Sequence, residues 1–217
     1  MEKSSYNKMP YSVIHRLPKY LIHVQKLVRS GRQWVSSQDI AHALGLTSST
    51  VRQDLSYIEF SGISKKGYEI KHLESSLLKE LDIGKKINMV IIGAGNLGKA
   101  VALNNGFHEY GFKVQYIFDN DPSIIGQRIG DLIIEDMVKL ETVASELSID
   151  IGILTVPAAA AQEVADRLMA AGVRGILNFT SAHIVTNTVA KVIDSRIIAN
   201  LLELNCLMGR ESGQLAG

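Results

Sequence analysis

The stretch Ile87-Asn-Met-Val-Ile-Ile-Gly-Ala-Gly-Asn-Leu-Gly-Lys-Ala100 constrains the fold more than any other part of the chain. Its apolar run, Met89 to Ile92, is too short for a buried helix and ends at glycine, so it reads as a strand covered on both faces. Gly93-x-Gly95-x-x-Gly98 then opens a helical pattern, and that order is the context a dinucleotide-binding turn requires. Gly93 permits the tight turn, Gly95 lets the backbone approach a pyrophosphate, and Gly98 lets the helix lie close to the strand. Ala94, Asn96 and Leu97 complete the turn, whose free N–H groups face the phosphates.

Glycines at this spacing also occur in ordinary loops, but here a second half follows. Lys113 to Phe118 reads as the next strand and delivers Asp119 about 20 residues past the last glycine, where a carboxylate can bond a ribose 2′-OH. Asn120, Asp121 and Pro122 flank it, without Arg or Lys. A 2′-phosphate would meet repulsion there, which favours NAD(H), as NADH and NAD+, over NADP(H). The alternative is the same fold with no nucleotide.

At 217 residues the chain holds one large or two ordinary domains. It lacks a membrane-length apolar run, and its polar start, Met1 to Lys8, lacks the apolar core of a secretory signal, so a cytoplasmic protein is expected. The single cysteine, Cys206, excludes an internal disulfide and a Cys-cluster zinc site, and reads as a small buried apolar residue. No metal site is expected. Net charge is +1, but residues 1–86 carry 14 Lys+Arg against 8 Asp+Glu, and the remainder 9 against 14. A basic first part and an acidic second part suggest that the first meets a polyanion, although plain solvation produces modest excesses too.

In the first part, Arg16 to Arg29 reads as a helix with Pro18 at its first position and Leu21, Val24, Leu27 and Val28 on one face. A second helix follows Ser36 or Ser37, with Ser36-x-x-Asp39 as a capping box, and Gly45 turns the chain. Thr47 caps a third, Ser48 to Tyr57, burying Val51, Leu55 and Ile58. Two short helices joined by Gly-Leu-Thr match a helix-turn-helix, whose second helix would present Ser48, Ser49, Thr50, Arg52 and Gln53 to base edges and phosphates. A small helical bundle with a solvated face is the competing reading. Lys65 and Lys66, at a glycine turn between extended segments, resemble the wing of a winged helix. His15, His23, His42 and His72 lack metal-ligand spacing. Leu73 to Lys86 reads as a connecting helix ending at Gly84.

The second part alternates in the α/β manner: a short strand Leu132 to Ile134, a helix Met137 to Leu147, a strand Ile149 to Val156, a helix Ala158 to Ala171 and a strand Val173 to Phe179. In a doubly wound sheet, Thr155, Val156, Pro157, Asn178 and Phe179 would line the nicotinamide side. A hydride-transfer enzyme needs an acid or base at the substrate, and only His183 lies near the right strand end, so no catalytic residue is expected. Asp194 or Ser195 would cap a last helix to about Met208, apolar around most of its circumference. Such a helix packs into a second subunit, or is a last Rossmann-type helix with an apolar edge.

The motifs Arg16-Leu-Pro-x-Tyr20, Val35-Ser-Ser37, Val51-Arg-x-Asp-Leu-Ser-Tyr57, Lys65-Lys-Gly-Tyr68, Gly93-Ala-Gly-Asn-Leu-Gly98, Phe118-Asp-x-Asp-Pro122, Thr155-Val-Pro157 with Ala160-Ala-Gln162, and Ala171-Gly-x-x-Gly-Ile-Leu-Asn-Phe179 together resemble the Rex family of redox-sensing transcriptional repressors. The likeness spans nearly the whole chain. It implies an α/β architecture of a winged helix-turn-helix domain (1–84), a Rossmann-type doubly wound NAD(H)-binding domain (85–193) and a C-terminal helix and tail (194–217) exchanged between the subunits of a homodimer. It further implies binding of double-stranded operator DNA when NADH is low and release by NADH, with Ser36, Ser37, Thr47 and Tyr57 joining the DNA-contacting set. The family carries an Asp before the last helix, thought to pair with the arginine that is Arg16 here. Counting back from the helix places Arg196 at that position, whereas Asp194 matches with a two-residue shift. Asn104 and Ser181 stand where relatives often have Tyr and Pro. A dimer with a structural, non-switching nucleotide site and a small NAD-dependent oxidoreductase are the alternatives.

Overall fold

The computed structural model describes residues 9–186 and 189–214, the last five by backbone alone. The polar start, Met1 to Lys8, lies outside the described residues. The chain divides into two compact units, residues 1–85 and 86–217.

In the first unit α1 (Tyr11–Arg29) starts after Pro10 and continues through Pro18. The helix start expected at Pro18 is corrected by burial: Val13 and Leu17 lie on the same face as Tyr20, Leu21 and Val24. That longer apolar stripe offsets the backbone hydrogen bond that Pro18 cannot donate. β1 (Trp34–Val35) pairs antiparallel with β2 (Tyr68–Glu69). α2 (Ser37–Leu44) carries the full capping box, with Ser36 Oγ accepting from Asp39 N and Asp39 accepting from Ser36 N. Gly45 then adopts a left-handed φ of 65°, which turns the chain toward α3 (Ser48–Leu55), capped by Thr47. α3 stops short of Tyr57, the end expected from periodicity. α4 (Ile70–Glu80) packs Ile70, Leu73 and Leu77 into the core beside α1. It begins and ends earlier than the Leu73 to Lys86 span expected.

The second unit is a seven-stranded sheet: β3 (Ile87–Ile92), β4 (Phe112–Asp119), β5 (Arg128–Ile129), β6 (Leu132–Asp136), β7 (Ile151–Leu154), β8 (Gly175–Asn178) and β9 (Lys191–Asp194). The spatial order is β5-β6-β4-β3-β7-β8-β9, all parallel except the edge strand β5. Without β5 this is the doubly wound dinucleotide-binding order, with the direction of winding reversing between β3 and β7. α5 (Asn96–Ala102) lies against the face built from Met89, Ile91, Ile117 and Ile153; α6 (Leu140–Leu147) and α7 (Ala158–Ala170) cover the opposite face.

The first face is not fully covered. Toward β7, β8 and β9 it leaves an apolar groove of about 320 Å³ lined by Phe107, Phe112, Ile151, Ile153, Leu177 and Ile193. The chain ends in α8 (Ile197–Gln214), on which Ile197, Ile198, Leu201, Leu202, Leu204, Leu207 and Met208 are all more than half exposed. Cys206 is exposed as well, contrary to the buried position expected, because α8 buries none of its described side chains within the single chain.

Candidate functional site

The switch point between β3 and β7 opens into a cavity of about 470 Å³. Gly93, at φ 101°, makes the turn; a Cβ there would stand 2.7 Å from the Thr155 carbonyl oxygen. A Cβ on Gly98 would overlap the Gly93 carbonyl oxygen, so helix and turn are as close as the sequence reading requires. Gly95 has an ordinary φ of −68°, and a Cβ on it would meet only open space. The fold itself does not require glycine here, and the bare backbone lies open to the cavity. That open cradle fits a dinucleotide pyrophosphate.

Asp119 sits at the end of β4. Its Oδ2 accepts from Ala94 N at 2.6 Å, while Oδ1 accepts from Asn120 N at 2.8 Å and Asp121 N at 2.9 Å. A carboxylate has about four lone-pair sites, so Asp119 can fix the glycine turn and still receive a ribose hydroxyl. Beside it, hydrogen bonds from Ser123 hold the Asp121 carboxyl below its usual range. Thr155 clamps the turn from the other side, its hydroxyl shared between the carbonyls of Gly93 (2.8 Å) and Ile92 (3.0 Å).

Of the expected residues, Gly93, Gly95, Asp119, Asn120, Thr155, Val156 and Pro157 line the cavity. Ala94, Asn96, Leu97 and Gly98 belong to the turn and first helical residues behind it. Asn178 and Phe179 do not line it; Asn178 is fully buried with its side-chain amide engaged by Ala182, Asp194 and Thr180. Met137, Ala160, Glu163 and Arg167 do line it and were missed. Arg167 is held by Glu141, whose hydrogen bonds raise the guanidinium pKa, and it also donates to the Met137 carbonyl. The face that α7 turns toward the crevice depends on its docking against α6, which periodicity does not encode.

In the first unit, α3 exposes Ser49, Arg52 and Gln53, with Ser48 and Thr50 half-buried. Thr47 Oγ1 accepts from Thr50 N and meets the hydroxyls of Ser49 and Thr50, both at 2.8 Å. Arg52 donates to Ser37 Oγ across the turn at 3.2 Å, and Ser36 is committed to its cap. Tyr57 lies half-buried just beyond α3. At the wing, Ile63 bridges Gly67, Lys65 adopts φ 63°, and Lys66 Nζ lies 3.9 Å above the Trp34 ring.

Behind this face sits a cluster that hydrophobic patterning does not predict. Asp54, 1 % exposed, accepts from Arg16 Nε at 2.6 Å and Nη2 at 2.7 Å, and from the Tyr20 hydroxyl. The bond to Asp54 raises the Arg16 pKa; burial, then Asp54, raises that of Tyr20. The available signal was the i, i+3 spacing of Val51 and Asp54, which puts both on the buried face. Arg16 is thus bound within its own unit, and Asp194 is bound by Asn178 and Arg196. Asp194 ends β9 and is not a cap of α8. Among the described residues there is no group of three potential metal ligands, and no helix long and apolar enough to cross a membrane.

A helix-turn-helix with a wing, joined in one chain to a doubly wound nucleotide-binding domain, defines the class: a DNA-binding regulator with a dinucleotide-sensing domain. Residues 84–182 match the family described as "CoA binding domain", and residues 8–56 the family described as "Putative DNA-binding protein N-terminus". The redox-sensing transcriptional repressor Rex of Carboxydothermus hydrogenoformans is 42 % identical over 200 residues, covering 91 % of this chain and 96 % of that protein. Rex 1 of Thermotoga maritima is 39 % identical over 86 % of this chain and 90 % of its own length. The solved structure of RSP with β-NAD+ and operator DNA is 33 % identical, with a TM-score of 0.87 over 94 % of both chains. RSP with β-NADH is also 33 % identical and gives 0.86 over 94 % of this chain and 96 % of that one. This chain belongs to the Rex family of redox-sensing transcriptional repressors.

Proposed function

We propose that the protein binds operator DNA as a homodimer and is released by NADH, so that repression follows the NADH/NAD+ ratio. The observation that carries this reading is the likeness over nearly full length to RSP, solved both with NADH and with NAD+ on operator DNA. The residues support it. Ser48, Ser49, Arg52 and Gln53 face bases or phosphates from α3, while Lys65 and Lys66 reach the backbone from the wing. The glycine turn holds the pyrophosphate, and Asp119 receives the ribose while its charge repels a 2′-phosphate.

The dimer is supported by two surfaces that the described residues of a single chain leave uncovered. A right-handed crossover from β8 to β9 normally lays a helix over the sheet. Here residues 179–190 contain no helix among those described, and the groove beside β7, β8 and β9 stays open while α8 exposes its apolar side chains. An exchanged α8 from a second copy would supply that layer. Two α3 helices so linked engage two half-sites only at one spacing, which a nucleotide-dependent change in the dimer spoils. Oxidised and reduced nicotinamide differ by one ring charge, so they can favour different states. Moving occupancy from almost full to almost empty takes a differential of about 5.5 kcal/mol. A regulator needs no acid–base residue at the nicotinamide, and His183, exposed in the loop after β8, lies outside the cavity.

The test is fluorescence anisotropy on a Rex-type palindromic operator at fixed salt, with NADH and NAD+ titrated separately. Release by NADH at much lower concentration than by NAD+ is expected. Tight DNA binding indifferent to both would leave a DNA-binding dimer with a structural nucleotide site.

A further inference from the structure

Operator binding by α3 and the wing assigns no role to Trp34, the single tryptophan of the chain. It opens β1, half-buried, and Lys66 Nζ lies 3.9 Å from the centroid of its ring. The backbone beneath that contact is fixed. The Ile63 carbonyl accepts from Lys66 N at 3.1 Å and Gly67 N at 2.9 Å, and Ile63 N donates to the Gly67 carbonyl at 2.8 Å, which closes the wing turn. Gly67, at φ 94°, runs so close to β1 that a Cβ would stand 2.5 Å from the Val35 carbonyl oxygen. On the other side Phe60 packs against Tyr68, ring centroids 5.5 Å apart, and edge-on against His72 at 5.0 Å. With the main chain of the wing held from both sides, the direction of its lysine side chains is what remains to be set.

A lysine that is ordered only when a phosphate captures it loses rotamer freedom at that moment, and the loss subtracts from affinity. The Trp34 ring orders Lys66 beforehand. It does so without neutralising the ammonium, because an indole face attracts a cation through its quadrupole and carries no net charge. Glu69 stands opposite Trp34 in the β1–β2 pair, yet Lys66 makes no ion pair among the described residues. Lys85 and Lys139, by contrast, are held by the carboxylates of Asp82 and Glu135. Lys66 is thus placed while its charge stays uncompensated, which is the combination a phosphate contact uses.

We propose that Trp34 is a positioning residue for DNA: its ring presets the Lys66 ammonium for a backbone phosphate beside the wing. Lys65, at φ 63° in the same turn and held by no ring among the described residues, contributes charge without that preset direction. The proposal rests on the DNA-binding part of the repressor reading and is measured without nucleotide, so a failed NADH switch does not bear on it.

The experiment uses the full chain and reads operator affinity by anisotropy over a series of salt concentrations. Lys66→Met keeps the apolar stem and removes the charge. It should weaken binding and flatten the slope of log affinity against log salt by about one per wing, so about two for a dimer. Trp34→Leu leaves every charge in place, yet should weaken binding about fivefold or more for two wings and flatten the slope in part. The double variant should bind no worse than Lys66→Met alone, since the ring acts through the lysine. Trp34→Phe, which keeps a ring face, should recover part of the loss. Additive losses in the double variant, or a Trp34→Leu loss with an unchanged salt slope, would make Trp34 a structural residue or a DNA contact of its own and overturn the proposal. Unchanged or tighter binding by Trp34→Leu overturns it as well. Should Trp34→Leu fail to fold by circular dichroism, Lys65→Met and Lys66→Met decide, because they remove the same charge from the same turn: a larger loss from Lys66→Met supports the preset lysine, and equal losses overturn it. A wild-type chain that binds no duplex at low salt would sink the repressor reading and this proposal together.

Discussion

Asp54 places a carboxylate on the buried face of α3, between Val51 and Leu55 and away from the exposed Ser49, Arg52 and Gln53. Three donors converge on it, two from Arg16 and one from Tyr20, both on α1. A buried ion pair contributes little relative to an apolar substitute, but removing one partner strands the others. Asp54→Asn would leave the Arg16 guanidinium without a counter-charge and compete poorly for the Tyr20 hydroxyl. The expected loss is roughly 3 kcal/mol, the low end for a broken buried pair, because the Arg16 side chain keeps 23 % exposure. Trp34, the single tryptophan, sits in the same unit and reports that unit's unfolding by fluorescence. An unchanged denaturation midpoint on that signal would mean that α3 is held by Val51 and Leu55 alone.

Among the elements, the β3–turn–α5 unit contains two glycines that do different work. Gly98→Ala forces a methyl into the Gly93 carbonyl oxygen and to 2.9 Å from Thr155 Oγ1, both rigidly held. Overpacking of that kind costs about 1–3 kcal/mol, so thermal stability of the second unit and NADH affinity should fall together. Gly95→Ala meets no protein atom and should unfold normally, yet lose about tenfold or more in NADH affinity as its methyl blocks the backbone approach. Calorimetry and nicotinamide fluorescence on both variants separate the two; equal behaviour would remove the distinction between packing and ligand contact. These glycines were legible because close approach demands a particular residue at a particular spacing. The apolar runs of β3 and β7 were legible because both faces are covered. β1, β2 and β5 hold two residues each and offer no periodicity, while β9 is a four-residue edge strand with exposed Lys191 and Asp194. Pro18 imitates a helix start, so the pattern alone makes α1 shorter than it is. Asn178 is expected on the nicotinamide side; its burial, like that of Asp54, is not legible in a local pattern because the partners that satisfy the two side chains lie far along the chain or in a loop.

At the scale of the whole molecule, the described residues of one chain leave a large apolar surface uncovered. Seven side chains of α8 stand more than half exposed, and the groove of Ile151, Ile153, Leu177 and Ile193 has the matching apolar character. Burying such a side chain is worth about 1.5–3 kcal/mol when complete. Even half that gain per residue, counted over two reciprocally exchanged helices, gives on the order of 10–20 kcal/mol. Association costs about 4–15 kcal/mol, so over most of these ranges the exchange is net favourable and a dimer is expected. Leu201 and Leu204, three residues apart, share one face of α8. Leu201→Asp with Leu204→Asp should halve the mass seen by light scattering while NADH still binds the Rossmann cradle. Operator affinity should fall by about 10² or more, because two half-sites joined through one dimer bind with the advantage of linkage and single winged helices do not. A dimeric mass for this variant, or full operator affinity from a monomer, would mean that α8 does not join the subunits and that the groove on the sheet takes something else.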